Sequence, residues 1–310
     1  MTSVQYLEVS DDVIEQRIDN YLIGRFTKLP KPLIYRWIRK GELRVNKKRV
    51  KQTLRVSAGD IIRIPPFSIE GEEQPVKISQ SHLDFLEEII LYETDDYIVV
   101  NKPSGIAVHG GSGVNSGLVE RLRQLRPQAR RLDLVHRLDK ETSGCVLLAK
   151  KHSALVYFFD LFKQRKVDKI YHTIVHGFWD KNIKRIDLPL KRTETKDGQR
   201  IVKVDKKEGK TAITNILSVE HLPGEYSLLK VKLETGRTHQ IRVHCKAMGH
   251  PIVADKKYGF VNIDEKLAKQ GIDKLLLHAS KLEFFDQKKQ QKITIEANLD
   301  ERFVYFLNTI

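Results

Sequence analysis

Apolar side chains recur at helical spacing twice near the N-terminus. Ile14, Ile18, Tyr21, Leu22 and Phe26 share one face of a helix predicted from Asp11, and Leu33, Ile34, Trp37 and Ile38 share one face of a second. That second helix opens at Pro30-Lys31-Pro32 and stops at Gly41, a residue able to take the left-handed conformation that ends helices. The period then shortens to two. Leu43-Arg44-Val45, the turn Asn46-Lys47, Val50 and Ile61-Ile62-Arg63-Ile64 predict short strands. Pro65-Pro66 and the acidic, Gly- and Pro-containing residues 71–75 break the pattern. We therefore expect a small domain over residues 11–66, a linker over 67–88 and a larger domain over 89–310.

In the larger domain, residues 89–93, 97–100 and 146–149 predict strands. Leu118, Leu122 and Leu125 mark one helix, and Leu155, Phe158, Phe159 and Phe162 mark another whose aromatics read as core. Residues 169–177 alternate as a strand, with hairpin turns predicted at Asp197-Gly198 and Pro223-Gly224. Thr238 reads as the cap of a helix running to Gly249.

Charge sharpens this picture. The 310-residue chain carries a formal +15, and twelve Lys or Arg against the single acid Glu42 lie between Arg25 and Arg55, whereas the rest has 43 against 39. A patch this one-sided suits a polyanion better than a solvated face. Its candidate contacts are Arg36, Arg39, Lys40, Arg44, Lys47, Lys48 and Arg49. Cys145 and Cys245 stand far apart and form no CxxC, so they read as packed thiols. No apolar run reaches the roughly 20 residues of a spanning helix, and the start lacks a signal pattern. We expect a cytoplasmic protein with no membrane partner.

Candidate chemistry concentrates at His136-Arg137-Leu138-Asp139-Lys140-Glu141-Thr142-Ser143-Gly144, which feeds the apolar run 146–149. Charged groups ending in a turn ahead of a buried strand sit on a rigid edge, where sites tend to lie. Taken alone, Asp139 equally reads as a turn residue bonding nearby amides. A second dense stretch is Thr235-Gly236-Arg237-Thr238-His239-Gln240-Ile241-Arg242-Val243-His244. Its histidines are five apart, a poor spacing for a shared metal on one helical face. Leu275-Leu276-Leu277-His278-Ala279 is a third. The loop 109–113 is Gly-rich but lacks a G-x-S-x-G elbow, and reads as the rim of a site.

The first stretch resembles the catalytic motif of the RluA-type pseudouridine synthases. The second and third are similar to that family's later signatures and follow in its order. The basic helix pair and hairpin resemble an S4 RNA-binding domain. Within the family, the segments Val-Asn-Lys-Lys-Arg-Val, Ile-Pro-Pro and Ala-Val-His-Gly-Gly-Ser-Gly are most similar to members acting on large-subunit (23S) ribosomal RNA. The resemblance implies an α/β fold of the α+β kind, with a mixed, largely antiparallel central sheet, flanking helices and the small S4 domain in front. It also implies a monomeric isomerase of uridines in that RNA, needing neither cofactor nor metal. Asp139 would be the reacting carboxylate, and Arg242 would keep it ionised and aimed through a two-point pair. Tyr171 and Leu276 would sandwich the uracil, Arg137 would enter the space left by the flipped base, and His136 would be a support.

Two other readings stand beside this one. A non-catalytic RNA-binding or ribosome-assembly protein would keep the basic patch and dispense with the site, although Asp139, Tyr171 and Arg242 are all present. A metal-dependent hydrolase would have to assemble His136, His239, His244 and His278.

Overall fold

The computed structural model describes residues 3–10, 13, 15–26, 29–67, 79–109, 117–129, 131–195 and 198–310. Its contacts divide the chain into two compact units, Met1–Ser79 with Lys151–Val156, and Gln80–Lys150 with Tyr157–Ile310.

The first unit contains strands β1 (Gln5–Glu8) and β2 (Gln16–Arg17), helices α1 (Ile18–Arg25) and α2 (Lys31–Lys40), then β3 (Arg44–Val45), β4 (Lys48–Arg49), β5 (Arg55–Val56) and β6 (Ile61–Ile64). A four-stranded sheet runs β1-β6-β3-β4, and β2 pairs with β5. Ile18, Leu22, Ile34, Trp37, Leu43, Ile62 and Ile64 close the core between helices and strands. α2 has the predicted proline start and ends at Gly41 with φ 70°. The helix expected from Asp11 begins only at Ile18, because Gln16 and Arg17 are drawn into pairing with Val56 and Arg55. Asp11, Asp12 and Ile14 lie outside the described residues.

The second unit opens with α3 (Gln80–Glu88), a helix with Leu86 buried where part of the linker was expected; residues 68–78 of that linker lie outside the described ones. Next come β7 (Ile90–Glu93), β8 (Tyr97–Lys102), α4 (Leu118–Leu125), β9 (Asp133–Leu134), β10 (Ser143–Ala149), α5 (His152–Lys163, its first five residues grouped with the first unit), β11 (Asp168–His176) and β12 (Arg185–Asp187). The hairpin β13 (Leu190–Glu194) and β14 (Arg200–Val204) stands apart from the main sheet; Asp197 of its predicted turn is outside the described residues. β15 (Ile213–Leu222), β16 (Tyr226–Leu233), α6 (Gln240–Ala247), α7 (Val261–Lys269), β17 (Leu277–Asp286), β18 (Gln291–Glu296) and α8 (Glu301–Thr309) complete the chain.

The central sheet runs β12-β15-β16-β11-β17-β10-β8-β7, with β18 on β17 and β9 on β10. It is mixed and largely antiparallel, as expected. Among the described residues the one parallel pairing is β10 with β17, Ser143 opposite His278 and Gly144 opposite Ala279. That pairing explains the glycine in the first motif. Gly144 has φ 106°, and a Cβ there would lie 2.2 Å from the Ala279 carbonyl oxygen. Helices cover the sheet: Leu267 of α7 and Phe303 and Phe306 of α8 pack on Ile174 and Leu276. Phe158 of α5 meets Tyr97 and Phe284 edge-on, with centroids 5.1 Å away. Phe159, expected in the core, is exposed.

Candidate active site

A cleft of about 550 Å³ opens where the segment 137–142, β11, the end of β16, the segment 236–242 and the start of β17 converge. The predicted Arg137, Asp139, Tyr171 and Arg242 all line it. Arg137 is exposed, Asp139 half-buried, and Tyr171 and Arg242 buried.

Asp139 sits on a turn that the sequence builds from both sides. Thr142 N–H donates to the Asp139 carbonyl at 3.1 Å and closes the turn. The Asn-Lys-Pro-Ser-Gly turn after β8 braces it from behind. Lys102, fully buried, donates through Nζ to the carbonyls of Pro103, Ile106 and Lys140 at 2.8, 3.0 and 3.0 Å. Ser104 Oγ donates to the Glu141 carbonyl and Gly105 N–H to that of Lys140. Burial pushes Lys102 down to about 7. By resemblance the Asn-Lys-Pro turn is expected to precede the site, but no local pattern marks Lys102 as buried or as the brace.

Arg242 is not paired with Asp139 in the expected two-point manner. Its Nε and Nη2 donate to Oδ2 and Oδ1 of Asp255 at 2.8 and 2.7 Å, while Nη1 lies 3.7 Å from Asp139 Oδ2. Asp255 is the more effective partner because its carboxylate is fully enclosed and already ordered by the N–H groups of Lys257 and Tyr258. Burial works against the Arg242 charge, yet the Asp255 pair holds its pKa above the ordinary arginine value. The guanidinium also lies over the Tyr258 ring, 5.0 Å from its centroid. Asp255 and Tyr258 were missed in the sequence. They follow α6 in a turn with no periodic relation to Arg242.

Tyr171 faces the cleft from β11, opposite a bulge where β17 carries extra residues between His278 and Lys281. Burial, with Asp139 nearby, raises its pKa, so the ring is a neutral phenol. Leu276 does not lie in the cleft. It packs with Val253, Phe303 and Phe306 on the far side of the sheet, and Leu277 lines the cleft instead. Successive side chains of an extended chain point to opposite faces, so choosing between neighbouring leucines amounts to choosing a face.

The four histidines of the hydrolase reading go to separate tasks. His136 Nε2 accepts the Leu147 N–H at 3.1 Å, stacks on Phe162, and is pushed down to about 3 by burial. His244 meets Thr214 Oγ1 and the Leu188 carbonyl, and His278 meets Ser143 Oγ. His239, rather than Thr238, is the N-cap of α6, at φ 53°. Thr238 Oγ1 instead accepts from Arg192 at 2.6 Å. Among the described residues no three His, Cys, Asp or Glu side chains gather to hold a metal ion. Residues 110–116, which contain most of the predicted Gly-rich rim, are outside the described ones. Burial pushes both cysteine thiols up to about 12.

In the first unit Arg36, Arg39, Lys40, Arg44, Lys47, Lys48 and Arg49 are all exposed. Among the described residues only Lys40 of these has an acidic partner, Glu42 at 3.9 Å.

A profile of RNA pseudouridylate synthases matches residues 96–247. Ribosomal large subunit pseudouridine synthase C of Haemophilus influenzae is 44% identical over 310 residues, covering 100% of this chain and 96% of that protein. Its counterpart from Vibrio cholerae is 44% identical over 302 residues, 96% of this chain and 94% of that one. Among solved structures, human RNA pseudouridylate synthase domain containing 4 superposes with a TM-score of 0.59 at 25% identity, covering 74% of this chain and 96% of that one. Domain containing 1 gives 0.55 at 26% identity, over 71% and 94%. The chain belongs to the RNA pseudouridylate synthase family of enzymes. Among the described residues no helix is long and apolar enough to cross a membrane.

Proposed function

We propose that this enzyme isomerises uridines to pseudouridines in large-subunit ribosomal RNA, with Asp139 as the reacting carboxylate. The names of the similar proteins, large-subunit ribosomal pseudouridine synthases, support the substrate class. The observation that carries the residue assignment is the position of Asp139: half-buried in the cleft beside Tyr171, with Arg242 Nη1 3.7 Å from its Oδ2.

In the reaction the N1–C1′ bond breaks, the uracil turns, and a C5–C1′ bond replaces it while the C5 hydrogen leaves as a proton and N1 ends protonated. Atoms and redox state balance within one nucleotide. The demands on the protein are a fixed carboxylate and exclusion of water from a base that has left its stack. Tyr171 and Leu277 hold the uracil between them, Arg242 keeps Asp139 charged and aimed, and Arg137 occupies the vacated position in the RNA. The basic face of the first unit, which resembles an S4 domain, supplies affinity through phosphates. The enzyme acts as a monomer on RNA in the cytoplasm.

Tritium release from C5-labelled uridine in unmodified 23S ribosomal RNA tests this. Asp139→Asn keeps the size of the side chain and removes its charge, so release should fall to background while RNA affinity holds or rises. Near-normal release by this variant would exclude Asp139 as the reacting group.

A further inference from the structure

His239 lies beside Asp139, and the geometry around it fixes where its proton sits. Its Nδ1 is 2.8 Å from the Tyr258 hydroxyl, and its Nε2 is 3.7 Å from Asp139 Oδ2. The same hydroxyl oxygen accepts the backbone N–H of Val202, on β14, at 3.0 Å. Tyr258 is 5% exposed, so its O–H hydrogen needs a protein acceptor, and among the described residues the one within hydrogen-bond reach is His239 Nδ1. With Nδ1 accepting, a neutral imidazole carries its hydrogen on Nε2, pointed at Asp139. Burial lowers the His239 pKa and favours this neutral form. The order of donation is therefore Val202 N–H to Tyr258, Tyr258 O–H to His239, and His239 N–H toward Asp139. Arg242 Nη1 approaches the same carboxylate oxygen, also at 3.7 Å.

We infer that His239 is a positioning residue: its Nε2–H, set there by the Tyr258 hydroxyl, joins Arg242 in holding Oδ2 of Asp139 and leaves Oδ1 to react with the nucleotide. This rests on the assignment of Asp139 as the reacting group. Catalytic hydrogen bonds are often long in the free protein and tighten with substrate, so both contacts shorten when RNA fills the cleft.

The left-handed backbone at His239 supplies a discriminating test. Asn tolerates that conformation better than most residues, whereas Gln places an N–H₂ group about where histidine has Nε2 and Asn stops short of it. A purely conformational role predicts His239→Asn to be the milder change; a donor to Asp139 predicts His239→Gln to be the milder one. We expect single-turnover tritium release from C5-labelled 23S RNA to fall at least tenfold in His239→Asn and less than threefold in His239→Gln, with RNA affinity unchanged in both. Equal losses, or a milder Asn variant, would overturn the proposal. A second measurement does not depend on activity. In the ¹⁵N-histidine-labelled full chain, the resonances lost in His239→Gln should report an unprotonated Nδ1 and a protonated Nε2 at neutral pH, and Tyr258→Phe should abolish that fixed pattern. A protonated Nδ1 in the wild type would refute the inference whatever the activity. Absence of release by the wild-type enzyme would instead count against the proposed function.

Discussion

Arg242 turns two of its nitrogens to Asp255 at 2.8 and 2.7 Å and leaves one at 3.7 Å from Asp139. Such a division fixes the guanidinium before substrate arrives, so that in the proposed reaction aiming Asp139 would cost no reorganisation. Two substitutions separate the two ends. Arg242→Lys keeps the charge but has a single ammonium for two carboxylates, so tritium release should collapse while RNA affinity is retained. Asp255→Asn leaves a buried arginine without its counter-charge, and should lower stability by about 3–5 kcal/mol and slow release by roughly 10- to 100-fold. Thermal unfolding and single-turnover release on the same samples check both; an Asp255→Asn enzyme of normal stability and rate would remove the anchoring role. That Asp139, Tyr171 and Arg242 come together in one cleft was legible because their motifs carry them. Asp255 was not, since thirteen residues and a turn separate it from Arg242. Leu277 was missed for Leu276 by one step of the strand alternation.

At the scale of elements, the turn that carries Asp139 is held by another turn rather than by its own strand. Lys102 has three N–H groups as an ammonium and meets three carbonyls, one of them in the Asp139 turn at Lys140. Lys102→Met fills similar space but satisfies none of these oxygens. It should cost on the order of 3 kcal/mol and depress release beyond what lost fold accounts for, because the position of Asp139 depends on that brace. Urea unfolding with release measured well below the transition would decide it: a stable variant with normal turnover would show the brace to be dispensable. The alternating patterns marked most strands here, and the paired turns marked the hairpins. Their pairing order was not readable, since the β10–β17 contact joins residues more than 130 positions apart. Helix starts were the weaker part: strand pairing displaced α1 to Ile18, and His239 took the cap assigned to Thr238.

Over the whole molecule, charge and chemistry are allotted to different parts of the chain. Residues 25–55 hold twelve cations and one acid, and every residue lining the cleft lies beyond residue 136. Exposed cations without acidic partners are poised to displace the counterions condensed on RNA, and each phosphate contact they make contributes roughly 0.7–0.9 to the slope of log affinity against log salt. Replacing Arg36, Arg39, Lys47 and Lys48 together by Gln in the full-length chain leaves the packed face of α2, Ile34 and Trp37, untouched. The salt slope for 23S RNA should then fall by up to about 3, with weaker binding at every salt concentration. Single-turnover release at saturating RNA should stay near the wild-type rate, because none of the four residues lines the cleft. A slope equal to that of the wild type would place the phosphate contacts elsewhere on the molecule, and a lost rate at saturation would mean that the basic face takes part in presenting the uridine as well as in holding the RNA.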